Sequence, residues 1–173
     1  SYKKRKNRRK KDIDSLLQIW DVVHQHHSDW RLDMYGDGEL RDYYIDKIRA
    51  MDANIFVFEP TREINVKYCE HSLLLLTSLY EPFGLVLPEA MSCGLPVVAF
   101  DCPYGPADII TDGVDGFLIK DRNISIFVQR VCQLIEDDNL RRQMGARGIC
   151  SSQRYCSDSI MPRWIKLFNS FML

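Results

Sequence analysis

The chain has no apolar run near the ~20 residues that a helical membrane span requires. Its longest candidate, Leu73 to Leu76, is only strand-sized. No signal-peptide pattern opens it, because the first eleven residues are almost all polar. The six cysteines, Cys69, Cys93, Cys102, Cys132, Cys150 and Cys156, form no C-x-x-C pair, and the four histidines complete no metal-ligand pattern. With no export signal, the cysteines read as buried, reduced thiols, which points to a reducing, cytoplasmic compartment. There is no internal repeat.

What is present is an ordinary globular balance: 173 residues, 46% hydrophobic and 27% charged, enough for one domain with a core. The net charge of −1 is unevenly spread. Eight of the 23 basic residues lie between Lys3 and Lys11, leaving 15 basic against 24 acidic residues, a balance of −9. Residues 1–11 therefore read as a basic head, expected to be flexible and solvated, and residues 12–173 as one domain. Such a head could also meet phosphates, an anionic membrane surface or nucleic acid. Aromatics are not interleaved with its charges, apart from Tyr2, which argues against nucleic acid.

From Asp12 the pattern alternates between two periods. Ile13, Leu16, Leu17, Trp20 and Val23 recur at helical spacing, with Asp12 or Asp14 as the cap. Strands are expected over Trp30–Tyr35, Asn54–Phe58, Ser72–Thr77, Val97–Phe100 and Gly116–Ile119. Helices are expected between them and through the last third of the chain. Strand-helix alternation with short loops implies a Rossmann-like parallel sheet with helices on both faces. Ligands of such sheets bind at the carboxyl ends of the strands.

The segment Tyr80 to Gly94 holds the strongest chemical signal. A buried strand ends, a polar loop follows, and Gly84 permits close backbone approach at the start of a helix. The first-turn N–H groups around Gly84, Leu85 and Val86 make an anion site suited to a diphosphate. Glu81 and Glu89, eight apart, are acceptors for hydroxyl pairs. One could take a sugar's hydroxyls and the other a ribose's, with the diphosphate between.

This run resembles the Glu-x7-Glu signature of retaining GT-B glycosyltransferases, especially glycosyltransferase family 4. Leu32 to Gly38 resembles that family's strand ending in Gly-x-Gly. Met91 to Val98, Gly105 to Ile110, Asp112 to Gly116 and Trp164 extend the likeness over roughly residues 11–170. The resemblance implies a carboxyl-terminal, donor-binding domain, one half of a GT-B fold. Glu81 would hold the donor sugar's hydroxyls near the anomeric carbon, as the catalytic residue. Phe83, Gly84 and Leu85 would contact sugar and diphosphate through their backbone, and Glu89 would accept from the ribose. The loop Phe58 to Thr61 would border the base. Lys11, with Lys10 as the alternative, would grip the diphosphate.

The chain departs from the family in three places. No apolar strand ending in Gly-Arg precedes Lys11, so Arg5 is only a weak candidate for the phosphate arginine. Glu59 stands where a glycine is frequent. The amino-terminal domain, which carries the family's acceptor site and catalytic histidine, is not in this sequence. His24, His26, His27 and His71 read as surface or capping residues instead.

The implied reaction transfers a hexose from a nucleotide diphosphate, UDP first, with retention, to a glycan or glycolipid of polysaccharide biosynthesis. The donor is a substrate, and neither cofactor nor metal is expected. Asp12-Ile13-Asp14 resembles a metal-binding D-x-D, but it opens an amphipathic helix and reads as a cap. The chain alone is not expected to transfer sugar. A non-catalytic module working with a separate amino-terminal-domain chain is the alternative, and peripheral contact with the inner face of a membrane is a further expected partnership.

Overall fold

Asp12 starts the first helix by a polar contact the sequence anticipates: its carboxylate accepts from Ser15 N at 3.4 Å and from Ser15 Oγ at 2.6 Å. A computed structural model describes residues 10–171; Arg5 and the rest of residues 1–9 lie outside the described residues.

Helix α1 (Ile13–His26) buries Leu17, Ile19, Trp20 and Val23. Strand β1 (Leu32–Tyr35), helix α2 (Arg41–Arg49), strand β2 (Ile55–Phe58) and helix α3 (Ile64–Glu70) follow. Then come β3 (Leu74–Leu76), α4 (Val86–Ser92), β4 (Val97–Phe100), α5 (Pro106–Ile109) and β5 (Gly116–Ile119). The chain ends in α6 (Ile124–Glu136), α7 (Asp138–Ser152) and α8 (Ser157–Ser170). Asn123 caps α6 through Ile126 N, and Asp137 caps α7 through Leu140 N.

All strand pairs are parallel. Side chains alternate across the sheet, and the two faces carry separate cores. Val98 and Phe100 join Phe117, Ile119, Trp20 and Phe127 on one face. Val97 and Ala99 join Leu87, Met91 and Ile109 on the other. Burying a side chain of that size contributes about 1.5–3 kcal/mol. Both faces of β4 are covered, and all four of its residues are buried.

The sheet is not continuous among the described residues. β1 pairs only with β2, and β3, β4 and β5 form a separate three-stranded block. A cleft of about 1260 Å³ lies between the facing edges of β1 and β3.

One further difference from expectation concerns exposure. Only Cys102 among the cysteines is buried; Cys69, Cys150 and Cys156 are exposed, and all six are free thiols. They sit on solvent faces or ends of helices, so the reading of buried thiols holds for one residue of the six. Helix α8, which carries Trp164, has no buried residue and exposes Met161, Ile165 and Phe168. No described helix is long and apolar enough to cross a membrane.

Candidate donor-binding site

The site forms where β3 ends. Thr77 and Ser78 continue the strand as buried polar residues. The chain from α1's start lies against them: Leu79 N donates to Lys10 O at 2.7 Å, and Thr77 Oγ1 donates to Lys11 O at 2.9 Å. This brings the amino-terminal approach to α1 beside the loop 77–85, 66 residues away in sequence.

Glu81 is the centre of the loop. It is 6% exposed, and a carboxylate so buried needs partners. Its Oε1 accepts from Ser78 Oγ at 2.6 Å and from Lys11 Nζ at 2.5 Å. Lys11 itself remains at the surface, with its side chain 60% exposed. The structure thus brings together Lys11 and Glu81, two residues assigned separately from sequence. Ser78, the third member, was not singled out; a serine three residues before a glutamate carries no signal by itself.

Gly84 is buried and has φ +87, a conformation that favours glycine. The helix begins two residues later than expected, at Val86. Leu85 at its N-cap supplies no side-chain hydrogen bond. Of the first-turn positions, Pro88 has no N–H and Leu87 N already donates to Gly84 O at 2.9 Å, so Val86 N is the one without a side-chain cap or that backbone bond. Phe83 and Leu85 are exposed, and the Phe83 ring meets Tyr155 edge-on at 5.5 Å. Glu89 lies in the first turn of α4 and is exposed. Its Oε2 accepts from Tyr68 Oη at 3.4 Å. The Tyr68 hydroxyl is pushed up to about 12 by burial and then by the charge of Glu89.

Three groups that sequence reasoning gave no role hold this loop in place. Gly105 packs directly on Phe83: a Cβ there would lie 1.8 Å from Phe83 O. Arg122 donates to Ser78 O at 3.1 Å and Thr77 O at 2.9 Å, pairs with Asp12, and lies over the Phe100 ring at 4.3 Å. Tyr104 meets Tyr80 edge-on at 5.9 Å. Among the described residues, the non-glycine positions with positive φ are Asp12, Tyr104, Asp121 and Arg122. Each flanks this loop or precedes a residue that does. Such conformations cost of order 1–3 kcal/mol each and persist where surrounding structure over-determines them.

A second concavity of about 390 Å³ lies beside the loop, lined by Asp101, Cys102, Tyr104, Gly105 and Asp108. Burial pushes the Cys102 thiol up, so it stays protonated at neutral pH. Asp12 is committed to its cap and to Arg122, as the capping reading expects. His71 caps α3, with Nδ1 2.5 Å from Lys67 O and Nε2 3.0 Å from Asp33 Oδ2. Glu59, in the loop expected to border a base, pairs with Arg41 at 2.8 Å.

The α/β domain of parallel strands flanked by helices matches one half of a GT-B glycosyltransferase fold. The glycosyl transferases group 1 model matches residues 4–149, and the chain belongs to that family. It is 32% identical over 163 residues to the poly(ribitol-phosphate) alpha-N-acetylglucosaminyltransferase of Staphylococcus aureus (strain COL), covering 92% of this chain and 33% of that protein. It is also 32% identical to the amylovoran biosynthesis glycosyltransferase AmsD of Erwinia amylovora, covering 92% of this chain and 45% of that protein. The crystal structure of TarM superposes with a TM-score of 0.85 at 32% identity, over 92% of this chain and 33% of that one. The pneumococcal O-GlcNAc transferase GtfA, solved in complex with UDP and GlcNAc, superposes with a TM-score of 0.85 at 26% identity, over 95% of this chain and 34% of that one. The chain thus spans about a third to under half the length of these relatives.

Proposed function

We propose that this chain binds the nucleotide-sugar donor, a UDP-hexose, for a retaining glycosyltransferase of family 4 type that builds a surface glycan. The observation that carries the reading is the convergence of Lys11 and Ser78 on Glu81 Oε1, with Glu89 eight residues on in the first turn of α4. Glu81 faces the sugar's hydroxyls as the catalytic carboxylate, and Glu89 accepts from the ribose. Phe83, Gly84 and Leu85 present backbone N–H groups to the diphosphate, and Lys11 supplies the positive charge.

As the glycosidic bond breaks, negative charge grows on the leaving diphosphate. Lys11 and the α4 start stabilise it. In this reading the cations at the diphosphate are protein side chains, and no metal or cofactor takes part. Lys11 is bonded to Glu81 here. Its exposure leaves it able to turn toward an incoming diphosphate, which would hand Glu81 Oε1 to the sugar. GtfA's complex with UDP and GlcNAc, a relative of the same fold, supports UDP over other nucleotides. The acceptor, a glycan or glycolipid, is met by an amino-terminal domain, and transfer needs that domain. The chain acts in the cytoplasm, with peripheral membrane contact where the acceptor is a lipid.

Titration calorimetry of the 173-residue protein with UDP, a UDP-hexose and GDP tests this. UDP is expected to bind in the micromolar-to-millimolar range. Glu89→Ala should weaken it by about tenfold to a hundredfold, the loss of a charge-assisted hydrogen bond. A folded protein that takes up none of these nucleotides refutes the reading.

A further inference from the structure

We propose that Cys69 and Cys93 are a disulfide-forming pair, a modification site for low-molecular-weight disulfides at which oxidation ties α3 to α4. Two short helices bring them together. Tyr68 in the last turn of α3 is buried, and its Oη reaches Glu89 Oε2 on α4 at 3.4 Å. One helical turn beyond Glu89, Cys93 ends α4, and its Sγ donates to Asn65 O of α3 at 3.8 Å. In an α-helix that carbonyl is the acceptor for the N–H four residues on, which is Cys69. The Cys93 sulfur therefore lies at the turn of α3 that carries Cys69, and the two thiols share a hydrogen bond. Cys93 also packs on the core cluster that holds Tyr68, Leu87 and Ala90.

The two sulfurs differ in the way an exchange pair requires. Cys69 is exposed and Cys93 is half-buried. Burial pushes the Cys93 thiol up, so it stays protonated while Cys69 meets the reagent. In the first step Cys69 gives its proton to water, and its thiolate attacks one sulfur of a small disulfide. That S–S bond breaks, a mixed disulfide forms at Cys69, and one small thiolate leaves. In the second step Cys93 gives up its proton and attacks the Cys69 sulfur, which expels the second small thiolate. The two leaving thiolates take up the two protons. Two cysteine thiols are thus oxidised as one small disulfide is reduced to two thiols.

The bond closes a loop of about 25 residues, long enough to restrict the unfolded chain appreciably. That loop contains both Glu81 and Glu89. The exposed Cys69 sulfur keeps the bond within reach of reducing thiols, so the tie is reversible in a reducing compartment. Cys156 supplies the contrast. It too is exposed, and Ser159, with Oγ 3.3 Å away, holds its thiol below the usual range. Where Cys69 meets a second thiol, Cys156 meets a hydroxyl, so exchange there stops at the mixed disulfide.

The test uses the 173-residue protein carrying Cys150→Ser and Cys156→Ser, which removes the two other exposed thiols. The probe is oxidised glutathione. Remaining thiols are capped with N-ethylmaleimide, and the protein is cut after acidic residues for mass spectrometry. Glu70, Glu81 and Glu89 separate Cys69 from Cys93, and Asp101 separates Cys93 from Cys102. Expected are a Cys69–Cys93 cross-linked peptide pair as the main product and a Tm raised by about 5–15 °C, which dithiothreitol returns to its starting value. Adding Cys93→Ser should leave glutathione on Cys69 and no rise in Tm. Glutathione retained on Cys69 with Cys93 capped overturns the proposal, as does an unreacted Cys69 or its cross-linking to Cys102 or Cys132. A cross-link that leaves Tm unchanged overturns the tie between the helices. None of these outcomes depends on whether the protein binds UDP.

Discussion

Glu81 and Glu89 belong to one short segment, yet the fold treats them oppositely. Glu81 is buried and bonded to Lys11 and Ser78. Its loop is braced by Gly105 from beneath and by Arg122 from the side. Glu89 stands exposed on a helix, with one 3.4 Å contact from Tyr68. One carboxylate is part of the architecture; the other is presented by it. Changes around Glu81 should therefore register as stability, while Glu89→Ala, an exposed substitution, should leave stability within about 0.5 kcal/mol and register in nucleotide binding.

The largest expected effect breaks the Glu81 side outright. Gly105→Ala places a methyl against Phe83 O in a backbone conformation, φ +89, that strains any other residue. A cost on the order of 3 kcal/mol is expected, lowering Tm by roughly 6–12 °C. An unchanged melting temperature would show that the loop yields freely and that the contrast between the two glutamates is overstated.

A smaller effect is expected at Arg122. Arg122→Ala removes the donors to Thr77 O and Ser78 O and leaves Asp12 without its partner. The loss should be about 2 kcal/mol, typical of charge-assisted hydrogen bonds. Hydrogen exchange should quicken at Ser78 to Glu81 and stay unchanged at Glu89. Asp12→Asn in the same background should recover part of the loss, since it removes the stranded charge. Equal quickening along the whole of α4 would mean that Arg122 supports the domain at large.

Much of this was legible in the sequence. Apolar runs bounded by turn residues, such as Leu73–Leu76 before Thr77 and Val97–Phe100 after Pro96, gave all five strands to within about two residues, because a buried parallel strand has little other composition available to it. A cap at Asp12 or Asp14 was readable, and the structure settles it at Asp12; His71 read as a surface or capping histidine, and it is the cap of α3. The clamp around Glu81 was not readable. Arg122 reaches Asp12 across 110 residues, and no local pattern encodes a contact of that span. In the sequence Gly105 was only the start of the family-like run Gly105 to Ile110; its close approach to Phe83 is visible in the structure alone.

The smallest expected effect sharpens the Glu89 side. Tyr68 is buried beside Glu89, and its hydroxyl is raised from 10.0 to about 12, by burial first and by the Glu89 charge second. The folded state thus holds this proton more tightly than the unfolded chain does. Stability from the neutral hydroxyl is fully present below about pH 10 and is lost as pH rises through about 12. Tyr68→Phe removes that term. At pH 8 the variant should lie within about 1 kcal/mol of the wild type, because the hydroxyl's 3.4 Å contact with the exposed Glu89 carboxylate is long. Between pH 10 and 12 the wild type should lose stability more steeply than the variant, measured as urea midpoints of the two proteins side by side. Parallel curves would mean that Tyr68 titrates alike in both states. Glu89 would then stand without the neighbour that here distinguishes it from a plain surface acid.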